Sequence, residues 1–139
     1  MSPLQGFATR SAGLARLVRV ASAVFDHPEH PYSEAYDDNG TVYVSGALSV
    51  DADGVAVSGR RAALDAALEK LRQRLGTAGL DLADVVKTTY FVTDVSLREE
   101  ANQQFVEVFA EPRPARSFVQ VSGLPYGATV EIEAVGRRR

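Results

Sequence analysis

The sequence predicts an α+β domain, a sheet carrying two helices on one of its faces. Three observations lead there. Segments at 41–46, 85–94, 117–123 and 128–135 are rich in Val, Thr, Tyr and Phe or alternate apolar with polar residues, as strands do. Two windows between them, 59–75 and 96–112, repeat their apolar residues at helical spacing instead. The resulting order is β-β-α-β-α-β-β, and two helices of this length cannot cover both faces of so wide a sheet. The second face therefore needs another cover, and self-association is the expected one.

Composition bounds the function. A chain of 139 residues with 45% hydrophobic and 24% charged residues fits one compact domain. No apolar stretch approaches the roughly 20 residues of a membrane span, so a soluble protein is expected. A net charge of -3 makes nucleic acid a poor default partner, since duplex binding rests on clustered Lys and Arg. Cys is absent, and His27 and His30 are the sole histidines. Thiolate chemistry and Cys-held zinc are excluded, and no metal or cofactor is expected.

Before Asp26 there is no acidic residue, and Arg10, Arg16 and Arg19 stand among small and apolar side chains. Residues 1–25 read as a lead-in with an edge strand near Leu17–Ala21, in preference to a transit peptide. A cytoplasmic single domain over 26–139 is expected. His27-Pro28-Glu29-His30-Pro31 punctuates the chain, because each proline fixes φ and removes a backbone donor. Asp37–Gly40 is an Asx-Gly turn signal ahead of the strand Thr41–Gly46, so a hairpin is expected. A second turn falls at Asp51–Gly54.

Leu64, Leu68, Leu71 and Leu75 form the stripe of the first helix, with Ser58 as expected N-cap and Gly76 as the residue after its end. Ser96-Leu97-Arg98-Glu99 has the spacing of a capping box for the second. Ala101, Phe105, Val108 and Phe109 share its buried face until Glu111-Pro112. The last two strands then follow. Phe91, Phe118 and Tyr43 are the aromatics expected on the sheet face that the helices leave open.

Chemistry must come from carboxylates, Arg, Tyr or hydroxyls. Period two puts Arg116, Phe118 and Gln120 on one face of their strand and Ser117, Val119 and Val121 on the other. Arg116 reads either as a side chain snorkelling to a nearby acid or as a planar fork for a substrate carboxylate. Glu131 and Glu133 face away from Val130, Ile132 and Ala134, as a solvated strand face or as a general acid/base on a rigid strand. Tyr32 is a packed aromatic or a hydroxyl donor.

Taken together, PYSEA (31–35), VYVSG (42–46), VVKTTYFVTD (85–94), Asn102 with Phe105, PARS (114–117), LP (124–125) and VEIEA (130–134) resemble, in order and spacing, the Rid/YjgF family of reactive-intermediate deaminases. The resemblance spans about residues 31–135. It implies a chorismate-mutase-like, mostly antiparallel sheet with two helices on one face. Three subunits would form a barrel, with sites between them. It implies hydrolysis of enamine or imine acids such as 2-aminoacrylate to a 2-keto acid and ammonia. Arg116, Glu131 and Tyr32 would be the catalytic set: Arg116 grips the carboxylate, Glu131 handles the water and Tyr32 completes the pocket. Gly46, Asn102 and Phe118 would bind substrate.

Phe118 stands where the family has a small residue or Cys, which points to a pathway-specific imine or enamine acid as an alternative substrate. A non-catalytic trimer that senses small carboxylates is the second reading. Ribonuclease activity, attributed to some relatives, is the third, disfavoured by the charge balance. Arg137–Arg139 are expected to be a solvated tail.

Overall fold

The computed structural model describes residues 30–139. The expected lead-in over 1–25 and its edge strand lie outside the described residues. Residues 30–33 fall in one unit and Glu34–Arg139 in a second, compact one. The second holds five strands and two α-helices: β1 (Ala35–Asp38), β2 (Thr41–Leu48), α1 (Arg60–Gly76), β3 (Val85–Val92), α2 (Arg98–Val108), β4 (Ala115–Gln120) and β5 (Val130–Arg137).

The sheet order is β1-β2-β5-β3-β4. All neighbours are antiparallel except β3 and β4. The hairpin of β1 and β2 turns at Asn39 and Gly40, both at positive φ, with Asp37 accepting from the Gly40 amide. From β2 the chain crosses through α1 to β3 and through α2 to β4, moving the same way across the sheet. Crossovers of one hand then lie on one face. The last strand, β5, fills the gap between β2 and β3, and its Val130, Ile132 and Ala134 join Leu64, Leu68, Leu71 and Leu75 in the core. The opposite face is left open, with Tyr36, Tyr43 and Val119 exposed.

Several expectations need correction. Gly59 at φ 97°, not Ser58, occupies the N-cap of α1, and Gly76 is its last helical residue rather than the one beyond. The Ser96/Glu99 capping box does not form. Asp94 accepts from the Ser96 amide instead, a 3-10 turn over Val95–Leu97 intervenes, and α2 begins at Arg98. With Asp94 capping this turn, Ser96 lies inside it and cannot take the extended backbone that an N-cap needs. Val108 is exposed, whereas Gln104 is fully buried, because the face of α2 turned toward α1 meets a polar partner there.

Phe118 lies on the helix-bearing face against the core, not on the open one. The terminal arginines are not a tail: Arg137 ends β5, Arg138 pairs with Asp37 and donates to the Ala78 carbonyl, and Arg139 donates to the Ala83 carbonyl. Among the described residues no helix is long and apolar enough to cross a membrane.

Candidate active site

Strand β4 is an edge strand whose Arg116 lies in register with Thr88 of β3. Thr88 and Tyr90 are both fully buried, so Arg116 points to the helix-bearing face. There its guanidinium carbon lies 5.0 Å from the Phe105 ring centre, 5.1 Å from Phe118 and 5.3 Å from Tyr90. Three aromatic faces around one cation supply attraction without neutralising its charge. Asn102, on α2 one turn before Phe105, accepts from Nη2. No carboxylate pairs with Arg116 among the described residues, and its Nη1 is buried without a hydrogen-bond partner.

The snorkelling alternative is thereby excluded for the described residues: the fork is held by a neutral amide and by rings, and its second edge is free. Burial, and then the like charge of Arg98, press the Arg116 pKa down, with Tyr90 opposing. The guanidinium is still charged near neutrality, and those same forces favour any anion that docks on it.

Glu131 stands on the other face. Between β2 and β5 the register slips, Val44 facing Ala134 but Ala47 facing Ile132, so β2 carries one extra residue in a bulge. The bulge lays the Gly46 backbone directly over the Glu131 side chain. A Cβ at position 46 would come within 2.1 Å of the carboxylate oxygen, so the Glu131 side chain can hold this position only while residue 46 is glycine. Burial first, and then the like charge of Glu133, raise the Glu131 pKa above the ordinary value of 4.5, with Arg74 opposing. A carboxyl raised toward neutrality exchanges a proton with water more readily than an exposed one.

The chain therefore brings Arg116, Asn102 and Phe118 together on one face and Gly46 and Glu131 together on the other. It does not join the two groups. β3 separates β4 from β5, and Arg116 is level with Ala134, so the Cα atoms of Arg116 and Glu131 are roughly 14 Å apart by strand spacing and rise, with side chains on opposite faces. Tyr32 belongs to the unit Met1–Ser33, exposed beside His30 with ring centres 5.0 Å apart. A groove of about 840 Å³ lies elsewhere, lined by Val86, Val108, Pro112, Arg113 and Arg137 among others. None of the expected site residues lines it.

Sequence reasoning missed Tyr90 and Gln104. The signal was present for Tyr90: two residues from Thr88 in a strand of period two, it had to share a face with any neighbour that Arg116 joined.

A mixed five-stranded sheet with two helices on one face, an arginine fork without a described carboxylate partner on that face and a glycine-covered glutamate on the other define a small α+β class. The family model described as Endoribonuclease L-PSP matches residues 22–137. The human 2-iminobutanoate/2-iminopropanoate deaminase is 38% identical over 107 residues, which is 76% of this chain and 78% of that protein. Two solved structures are similar over most of this chain. RidA from the Antarctic bacterium Psychrobacter sp. PAMC 21119 has a TM-score of 0.71 at 38% identity, covering 78% of this chain and 89% of that one. E. coli TdcF with bound serine has a TM-score of 0.69 at 31% identity, covering 79% and 90%. The chain belongs to the Rid/YjgF family.

Proposed function

We propose that the protein is a homotrimeric cytoplasmic deaminase that hydrolyses reactive 2-imino acids and their enamine tautomers, of the 2-aminoacrylate type, to 2-keto acids and ammonia. The observation that carries this reading is Arg116, a buried-edge guanidinium ringed by aromatics and unpaired with any described carboxylate. Such a fork fits a planar substrate carboxylate at two points.

The enamine first tautomerises to the imine. Water then adds to the imine carbon as Glu131 takes its proton. That proton passes to nitrogen to give the amino alcohol, whose hydroxyl proton then moves through Glu131 to nitrogen as the C–N bond breaks, leaving the keto acid: one water consumed and one ammonia released. The raised Glu131 suits both transfers. No cofactor enters this balance. Asn102 orients the fork, and Gly46 leaves room for the Glu131 carboxyl.

Because Arg116 and Glu131 diverge within one chain, the site is read as shared: Arg116 from one subunit, Glu131 from its neighbour. Three copies closing over the open faces would cover Tyr43 and Val119 and make that junction. Phe118 on the wall beside Arg116 narrows the pocket, which favours a pathway-specific imine acid over a broad range.

The relatives support the deaminase reading by name, the human protein being a 2-iminobutanoate/2-iminopropanoate deaminase. The arginines at the C-terminus, engaged by Asp37 and by backbone carbonyls, lend no support to RNA cleavage. The test is ammonia and keto-acid release from enamines generated in situ from several amino acids, with light scattering for the mass. Acceleration by a particle of three chains is expected. Binding of keto acids with no acceleration would replace the enzyme by a carboxylate sensor, and a monomer at micromolar concentration would remove the shared site.

A further inference from the structure

Tyr90 is the centre of the cage around Arg116. Its ring lies 5.8 Å from Phe118 and 6.2 Å from Phe105, and 5.3 Å from the guanidinium. It is also the one ring of the three with a polar anchor. Its hydroxyl, fully buried, donates to Gln104 Oε1 at 3.0 Å. Gln104 of α2, itself fully buried, donates from Nε2 to Asp65 of α1 at 2.8 Å. Asp65 also accepts from Arg61 at 2.9 Å, and Arg61 reaches Glu107 at 2.7 Å.

The direction of every proton in this chain is fixed. An ionised Asp65 only accepts, so the Gln104 amide nitrogen must face it, and the carbonyl must face the phenol. Tyr90 is thereby held as a donor. With both ends of its amide used, Gln104 has one rotamer that leaves nothing unsatisfied, and the phenol ring has one orientation. Phe105 and Phe118 pack on that ring, on the guanidinium and on apolar neighbours, and as phenylalanines they carry no polar group to anchor them.

We propose that Gln104 is a positioning residue for substrate binding: through the Tyr90 hydroxyl it fixes the aromatic floor on which the Arg116 fork rests, and so sets how well the fork meets a carboxylate. This rests on the role given to Arg116 above. The alternative is that the buried amide merely ties α1 to α2. The two differ in what they move. A structural tie alters melting temperature alone, whereas a positioning residue alters carboxylate affinity through Tyr90.

The experiment is a double-mutant cycle of Gln104→Met and Tyr90→Phe, both of which keep volume and remove one end of the hydrogen bond. The probe is 2-oxobutanoate, a keto acid of the product class, titrated against the intact oligomer, with steady-state kinetics alongside. Each single variant should weaken 2-oxobutanoate binding and raise KM about three- to tenfold, with kcat within about twofold of the parent, because a loosened fork misaligns the carboxylate. The double variant should be no weaker than Gln104→Met, which already removes the Tyr90 bond together with the one to Asp65.

Unchanged affinity in both single variants, while Arg116→Ala abolishes binding, overturns the proposal and leaves the deaminase reading standing. Losses that add in the double variant also overturn it. If Arg116→Ala binds 2-oxobutanoate as the parent does, the role of Arg116 falls and this proposal with it. Should Gln104→Met fail to fold, Tyr90→Phe alone decides: weaker binding supports the proposal, and unchanged binding overturns it.

Discussion

The two faces of this sheet handle their one key charge in opposite ways. On the helix-bearing face Arg116 is enclosed by three rings and an amide supplied by the same chain. On the open face Glu131 has a glycine bulge for a neighbour and Glu133 for company, and its face has no cover among the described residues. On the proposed reading the binding half of the chemistry is prebuilt within one chain, with its support reaching back through Tyr90 into the helix pair. The acid–base half is only sketched, its carboxyl raised by burial and a like charge rather than oriented by a dedicated donor. Rigid positioning is where an ion must be gripped at two points. A proton transfer to water tolerates more freedom, so the looser half can wait for a second subunit to complete it.

The contrast is broken most sharply at Arg116. Arg116→Ala should lower kcat/KM about 10²- to 10³-fold, the scale of a desolvated charge-assisted pair losing one partner. Light scattering should give an unchanged oligomer mass. Arg116→Lys should recover little, as lysine keeps the charge without the planar fork.

Glu131→Gln should lower kcat about 10²-fold while sparing 2-oxobutanoate binding. The same change has a stability signature whose sign follows from the raised pKa. The folded state holds this proton more tightly than the unfolded chain, so the contribution is fully present below 4.5 and is lost as pH rises through the raised value. Melting curves should therefore show Glu131→Gln more stable than the parent near neutrality, the difference vanishing in acid. The parent's acid limb in kcat/KM should lie above 4.5 and disappear in the variant.

Gly46→Ala acts on the same carboxyl by contact. Its Cβ would displace Glu131, so turnover should fall about tenfold with binding on the Arg116 side retained, a strain on the order of 1–3 kcal/mol. The smallest effect is expected at Phe118→Cys. Relative rates across a size series of imine acids should shift toward small substrates, with little change in melting temperature beyond the lost ring contact.

The sequence made some of this legible and hid the rest for physical reasons. Period two placed Arg116 with Phe118 and Glu131 away from Ile132, because alternation in a strand is local. The helix stripe of Leu64 to Leu75 was equally local. Which face of the sheet each pair joined was not, since that depends on β5 inserting between β2 and β3, a pairing across some 40 to 90 residues. Phe118 was accordingly assigned to the wrong face. The Gly46 bulge needs a register slip that no single segment encodes. Nothing in the sequence marks Gln104, since a polar residue at helical spacing is ordinarily solvated, and only its meeting with Asp65 and Tyr90 makes burial tolerable. The cap at Ser96 failed because Asp94, two residues earlier, opens the turn first and leaves Ser96 inside it.

The central claim, that each site takes Arg116 from one subunit and Glu131 from another, is tested most directly by mixing two inactive variants. Arg116→Ala and Glu131→Gln chains, unfolded together in equal amounts and reassembled, form cyclic trimers at random. A site shared between neighbours is complete when an Arg-bearing chain meets a Glu-bearing one, so about a quarter of parental activity should return. Mixed trimers, verified by mass, that show no more activity than the two variants kept apart would place both residues in one chain's site and contradict the account.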